Sequence, residues 1–201
     1  MVTRGFFGKG NDNLDKKRLP PGQYLENRFP VLSAEPTPDI NLLDWKLSFS
    51  YNNEIMAEID WNSLIKIEAT ELTKDIHCVT RWTKFDMNWK GVSVQNIIKS
   101  LDLEVPSDWV MIGSSTGYTT NLPTEDLLRE LTLIAYEYEK KPITPEHGGP
   151  IRLLVPNLYF WKSAKWIRGL KIIAEDSPGF WERYGYHMYG DPWQEQRYSG
   201  D

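Results

Sequence analysis

The hydrophobic positions of this chain fall mostly into short runs separated by turn residues, the pattern of strands rather than of long helices. Residues 44–51, 55–59 and 65–72 form the first such runs, and Asn52-Asn53 between the first two supplies a hairpin turn. Residues 109–113, 133–138, 151–155 and 170–174 predict four more strands. Helical spacing is rarer. Val94, Ile97, Ile98 and Leu101 stand at i, i+3, i+4 and i+7, the stripe of a short amphipathic helix. Leu127, Leu128 and Leu131 predict a second, beginning at Thr124, whose hydroxyl is placed to cap it, with Glu125 and Asp126 favourable against the helix dipole. Strands outnumber helices and no regular βαβ alternation appears. The expected fold is therefore α+β, a mixed, sheet-rich core with short helices, not a doubly wound sheet.

Residues 1–23 read as a flexible polar arm ending in the turn Pro20-Pro21-Gly22, and residues 24–201 as a single domain. Residues 29–38 are expected to be extended, since Pro30, Pro36 and Pro38 each disfavour helix for the residue before. With 40% hydrophobic and 25% charged residues the bulk of the chain should fold. Nine Trp and ten Tyr imply a large aromatic core with aromatic-lined loops; the other use of so many rings, stacking nucleic-acid bases, is disfavoured by a net charge of −5. One cysteine rules out an intramolecular disulfide framework and a Cys-rich zinc site, and fits a reducing compartment. The first twenty residues lack the apolar run of a signal peptide and any twin arginine, and no stretch is long enough to span a bilayer, so a cytoplasmic location is expected.

Two constellations bear chemistry. Cys78 lies in Ile76-His77-Cys78-Val79-Thr80-Arg81-Trp82. On these residues alone it reads first as an inert buried thiol, and His77 as an ordinary core histidine. A thiolate flanked by His77 and Arg81 would also sit in a positive setting that favours a metal-binding form. The second is Glu146-His147-Gly148-Gly149-Pro150-Ile151-Arg152, followed by Trp161-Lys162-Ser163-Ala164-Lys165-Trp166. The glycines and proline make a tight turn, around which His147, Arg152, Lys162, Ser163 and Lys165 offer donors and charge for a phosphate; the competing reading is a surface hairpin with solvated charges. Trp82, Trp89, Phe160, Trp161 and Trp193 read as core, and secondarily as an aromatic pocket mouth.

The order His77-Cys78-Val79-Thr80-Arg81-Trp82, then Gly-Tyr-Thr-Thr-Asn-Leu-Pro at 117–123, then His-Gly-Gly-Pro-Ile-Arg at 147–152, then Lys-Ser-Ala-Lys-Trp-Ile at 162–167 resembles the sulfite-oxidase-like molybdopterin-binding domain, over roughly residues 24–190. The resemblance implies one molybdopterin whose molybdenum takes a thiolate from Cys78. It makes His147, Arg152, Ser163 and Lys165 cofactor contacts, adds Asn27 and Arg28 from an early Arg-Asn-His-type loop, and places an active-site tyrosine at Tyr186. Two positions depart from the pattern. Glu26 stands where sulfite oxidases have a substrate-binding arginine, and Arg28 where they have histidine; a carboxylate at a sulfite pocket would repel the anion.

The expected activity is oxygen-atom transfer at molybdenum with a small substrate: a sulfoxide, an N-oxide or a sulfite-like compound. Without haem or iron–sulfur motifs, electrons would be exchanged with a separate partner. Two other classes compete: a non-catalytic module of the same fold holding a phosphate-bearing ligand or a protein partner, and a thiol redox sensor using Cys78 alone.

Overall fold

The computed structural model describes residues 17–201, and two sheets organise them. In chain order the elements are β1 (Tyr24–Leu25), β2 (Lys46–Tyr51), β3 (Glu54–Asp60), α1 (Trp61–Leu64), β4 (Thr70–His77), β5 (Trp82–Ser93), α2 (Val94–Ser100), β6 (Trp109–Ser114), β7 (Thr119–Pro123), α3 (Thr124–Leu127), β8 (Leu133–Tyr138), β9 (Lys141–Pro142), β10 (Arg152–Leu154), β11 (Ile167–Ile173) and α4 (Phe180–Arg183). One sheet runs β1-β5-β8-β10, with β4 on β5 and β9 on β8; the other runs β3-β2-β11-β6-β7. The sheet-rich α+β expectation holds.

Side chains alternate across a strand, and in the first sheet both faces are buried. From β8, Ile134 joins the larger core while Leu133 and Ala135 join the smaller; from β10, Leu153 and Leu154 divide in the same way. The larger core lies between the sheets and takes in α2 through Val94, Ile97 and Ile98. The smaller gathers Leu72, Ile76, Met87, Trp89 and Tyr159 on the opposite face, and Cys78 sits in it. Cys78 is thus carried on the second core.

Several expectations met local physics that changed them. Asn52 and Asn53 do turn the β2–β3 hairpin, both at positive φ (48° and 65°), as a type I′ turn requires. The strand expected over 65–72 is displaced. Asp60 accepts from the Ser63 amide at 2.8 Å and caps α1, and the strand begins only at Thr70. Thr124 does begin α3, but its hydroxyl donates to the Ser107 carbonyl at 2.7 Å and caps nothing, and the helix stops at Leu127. The longest strand, β5, lies outside the expected runs: it has no continuous apolar stretch, and Phe85, Met87 and Trp89 instead alternate with Asp86, Asn88 and Lys90, the pattern of a half-buried strand. Of the arm expected over 1–23, residues 1–16 lie outside the described residues. The remainder is tied down: Arg18 pairs with Asp75 and Asp86, and the Pro21 carbonyl accepts from Arg197 at 3.1 Å.

Trp89 is fully buried at the centre of the second core. Trp89→Ala is expected to lose about 3–5 kcal/mol in equilibrium urea unfolding. Ile55→Ala, at a side chain 64% exposed, should stay within about 0.5 kcal/mol of the wild type.

Candidate functional site

Cys78 opens the turn between β4 and β5. Its amide donates to the Trp82 carbonyl at 2.9 Å and its carbonyl accepts from the Arg81 amide at 3.0 Å, while Arg81 takes the left-handed conformation (φ 75°) that closes the loop. Two antiparallel strands therefore hold the thiol at a rigid tip. Its Sγ accepts from the Thr80 hydroxyl at 3.2 Å. Burial pushes the thiol pKa up, opposed by Thr80 and by the charge of Arg197. The positive setting expected from the flanking residues is not what forms. His77 is buried, bonded through Nδ1 to the Thr83 hydroxyl at 2.9 Å, and desolvated to a pKa of about 4, so it is neutral; Arg81 is exposed. The cation that bears on Cys78 is Arg197, whose Nη1 donates to the Val79 carbonyl at 2.7 Å.

The second constellation is built on close backbone approach. A Cβ on Gly149 would stand 1.8 Å from the Ile143 carbonyl oxygen, and one on Gly148 2.8 Å from Lys165 Cγ, so only glycines let this turn lie against both. The turn presents His147, whose ring stacks on Phe29 at 3.9 Å between centroids. His147 Nε2 lies 3.1 Å from the Phe29 carbonyl and Nδ1 3.0 Å from the Thr144 hydroxyl. Since a carbonyl only accepts, the proton belongs on Nε2, and burial lowers the pKa of the ring.

Arg152, on β10, is 1% exposed and donates to the carbonyls of His147 and, at 2.7 Å, Ser163. Its guanidinium also lies 4.2 Å from the Phe160 ring centroid. Among the described residues no carboxylate pairs with it. Desolvation lowers its pKa to about 9, which still leaves it charged at neutral pH. Lys165 is likewise without a carboxylate; Nζ donates to the Glu146 carbonyl at 2.6 Å, and burial, aided by Arg152, lowers its pKa to about 8. Ser163 Oγ accepts from the Val155 amide at 2.8 Å. Lys162, expected to join these cations, is instead consumed inside the fold: Nζ meets Glu182 Oε1 at 2.7 Å, Asn121 Oδ1 at 2.7 Å and the Met188 carbonyl at 2.6 Å, wholly buried. Glu182 Oε1 also accepts from Trp161 Nε1 and Thr120 Oγ1, both at 2.8 Å.

Trp161, so fixed, packs edge-on against Tyr186 at 5.1 Å, and Trp181 stacks on the same ring at 5.1 Å. Burial, then Tyr198 and Cys78, raise the Tyr186 pKa, so the phenol keeps its proton at neutral pH.

Cys78, His147, Arg152, Ser163, Lys165 and Tyr186 line one cavity of about 330 Å³. Asn27 and Arg28 do not. The Asn27 carbonyl accepts from Lys84 Nζ at 2.6 Å, and Arg28 projects outward, its side chain 87% exposed, paired with Glu26. Glu26 is likewise outside the lining, so the carboxylate expected to repel sulfite forms no part of the cavity wall. Trp82, Phe160 and Trp161 line it, whereas Trp89 and Trp193 do not. Sequence reading assigned no role to Phe29, Glu35, Thr80, Tyr118, Trp166 and Trp181, which also line it; Thr80, Tyr118 and Trp166 lie within the quoted motifs, a signal that could have found them, while Phe29 and Glu35 had none. Of eight enclosed polar side-chain atoms without a hydrogen-bond partner among the described residues, two belong to this wall: Glu35 Oε2 and Trp82 Nε1. Cations without carboxylates, an orphaned acceptor and an orphaned donor are the lining of a site for a polar, anionic ligand.

Comparison with known proteins decides the family. The oxidoreductase molybdopterin binding domain model matches residues 34–181. An uncharacterized oxidoreductase of Bacillus subtilis, YuiH, is 40% identical over 98% of this chain and 100% of its own. The chain belongs to the sulfite-oxidase-like family of molybdopterin oxidoreductases. A second family member, the protein-methionine-sulfoxide reductase catalytic subunit MsrP of Campylobacter jejuni, is 24% identical over 76% of this chain, which spans 57% of that subunit's length. The sulfane dehydrogenase SoxCD of Paracoccus pantotrophus shares the fold, with a TM-score of 0.62 at 16% identity over 74% of this chain and 42% of its own. Family membership accounts for an oxidoreductase domain built to take a pterin.

Lys162→Met strands the Glu182 carboxylate in the interior and should cost about 3–5 kcal/mol in chemical denaturation, well beyond an exposed ion pair. Lys165 carries its charge below about pH 8 and loses it above, so affinity for an anion in the cavity should fall as pH rises from 7 to 9. Titration of sulfate, whose charge is constant over this range, by calorimetry at both pH values for the wild type and Lys165→Met checks this; a wild-type fall no larger than the variant's would exclude Lys165 from the anion site.

Proposed function

We propose that this cavity holds one molybdopterin and that Cys78 supplies the single protein thiolate to its molybdenum. The observation that carries the reading is a single cavity containing a rigidly held thiol together with two cations, Arg152 and Lys165, that have no carboxylate. Among the described residues no group of three or more His, Cys, Asp or Glu is placed to hold a metal, which fits a centre whose remaining ligands come from the cofactor. Arg152, Lys165 and Ser163 would meet the phosphate, with Arg and Lys neutralising it. His147 would donate or accept at the same wall, reoriented from the Phe29 carbonyl. Asn27 and Arg28 have no part in this arrangement.

When bound, the cofactor supplies two-electron oxygen-atom transfer with a small substrate, of the sulfoxide, N-oxide or sulfite-like class. The residues of the chain supply position and protons. Tyr186, kept protonated and packed by Trp161 and Trp181, donates a hydrogen bond toward the reacting oxygen. Indole and phenyl rings exclude water around the thiol. Electrons come from or go to a separate partner. Among the described residues no helix is long and apolar enough to cross a membrane. A cytoplasmic location belongs to the same proposal, and the free Cys78 is compatible with it.

Elemental analysis for molybdenum and quantitation of released pterin, on protein from a cofactor-competent host, test the reading. One molybdenum and one pterin per chain are expected, and Cys78→Ser should retain the fold and pterin yet lose turnover of sulfoxides or N-oxides. Well-folded wild-type protein without pterin would overturn the proposal and favour a non-catalytic module of this fold.

A further inference from the structure

Of the two orphaned polar groups in the cavity wall, Trp82 Nε1 and Glu35 Oε2, only the second is charged, and it has no use in the fold or in the reading above. Glu35 lines the cavity, and its Oε2 is enclosed without a hydrogen-bond partner. Its Oε1 lies 3.9 Å from the point where a Cβ on Gly117 would stand, so the side chain is packed against the β6–β7 turn, while its backbone carbonyl is fixed by the Ser33 hydroxyl at 2.8 Å. A carboxylate oxygen removed from water without a donor is costly, and the cost is relieved when a ligand brings one. The nearest alternative is neutralisation within the protein. That is not what forms: Arg152 and Lys165, in the same wall, are committed to carbonyl oxygens. The cavity therefore keeps cations without carboxylates and a carboxylate without a cation. The ligand complementary to both carries an anionic group and, elsewhere, an edge of N–H donors.

We propose that Glu35 binds the aminopyrimidinone edge of the pterin, accepting from its exocyclic amine and the adjacent ring N–H. This rests on the molybdopterin reading of the cavity. Two neighbouring N–H donors match the two oxygens of a carboxylate as a guanidinium does, and charge-assisted pairs of that kind are the stronger hydrogen bonds. A glutamine at the same place keeps one acceptor but turns a donor toward a donor. Glu35 thus selects a pterin-like edge, while Arg152 and Lys165 hold the phosphate.

The test uses Glu35→Gln and Glu35→Ala, each purified from a cofactor-competent host beside the wild type, with near-UV circular dichroism to verify the fold. Pterin and molybdenum per chain, and the rate of pterin loss on dialysis, are measured without reference to turnover. Loss about ten-fold faster in both variants is expected from one missing charge-assisted pair. Affinity of the pterin-free proteins for inorganic phosphate should stay unchanged. Wild-type protein that holds pterin while both variants load and hold it equally would overturn the assignment of Glu35 and leave the molybdopterin reading intact. A fall in phosphate affinity equal to the fall in pterin retention would also overturn it, because Glu35 would then be shaping the whole cavity. Wild-type protein without pterin would overturn both. Should the alanine variant not fold, the near-isosteric glutamine decides.

Discussion

A guanidinium withdrawn from water with no carboxylate beside it is the constraint around which this site is arranged. Arg152 reaches its burial from β10, the last strand of a sheet covered on both faces, where loops close over its outer edge and keep it from solvent. The fold compensates it with dipoles. The carbonyls of His147 and Ser163 converge on it from two separate loops, and Phe160 lies beneath it. Both loops consequently bring their other side chains, His147 on one and Ser163 and Lys165 on the other, to the same wall. Gly149 makes this approach geometrically possible, since any side chain there would collide with the Ile143 carbonyl. Neutral dipoles offset a buried charge only in part. An apolar residue would serve the core better than Arg152, and its presence is understandable where an anion completes the set.

The cavity's other wall depends on residues past the end of the matched domain. Glu182, Tyr186, Met188 and Arg197 all follow residue 181, where the family match stops. Glu182 and the Met188 carbonyl engage Lys162 in the interior, and Glu182 fixes the indole of Trp161, on which Tyr186 packs. Arg197 ties the tail to the Val79 carbonyl, within the turn that carries Cys78, and to the Pro21 carbonyl. One end of the chain thus holds the thiol's turn in register with the other. A buried ion pair contributes little net stability compared with an apolar pair of equal volume, so its value here lies in orientation.

What could be read in the sequence follows from the range of the interactions concerned. The apolar runs of β8 and β10 were legible because burial on both faces leaves them continuously hydrophobic. The Asn52-Asn53 turn was legible because left-handed backbone has a local signature. β5 has no continuous apolar run; its signature is the alternation of Phe85, Met87 and Trp89 with Asp86, Asn88 and Lys90, which turns Met87 and Trp89 to the second core. Cys78, His147, Arg152, Ser163, Lys165 and Tyr186 come together, as the order of short motifs implied. Lys162 was misread for a reason of distance: nothing in its own segment announces that Glu182, twenty residues on, neutralises it. Asn27 and Arg28 were transferred from a loop pattern that this chain matches in only one of three positions, and the altered neighbours, Glu26 and Arg28, satisfy each other at the surface.

The same lining bears on the choice among substrates. Cys78 belongs to a cluster whose members are apolar or aromatic, with Trp82 and Trp161 buried in it and Trp181 and Tyr186 packed against it. An oxyanion approaching the thiol under the proposed reading would give up hydration and meet ring faces, which carry the negative side of the aromatic quadrupole. Arg152 is spoken for by two carbonyls and, on that reading, by the phosphate. Nor does Arg28 point inward to supply the missing charge. A neutral S-oxide or N-oxide has far less hydration to lose and needs only one donor at its oxygen, the role proposed for the Tyr186 hydroxyl. On the proposed reading, desolvation would rank neutral oxides above sulfite, through the lack of a free cation beside Cys78 in the described lining and not through the repulsive Glu26 that the sequence suggests.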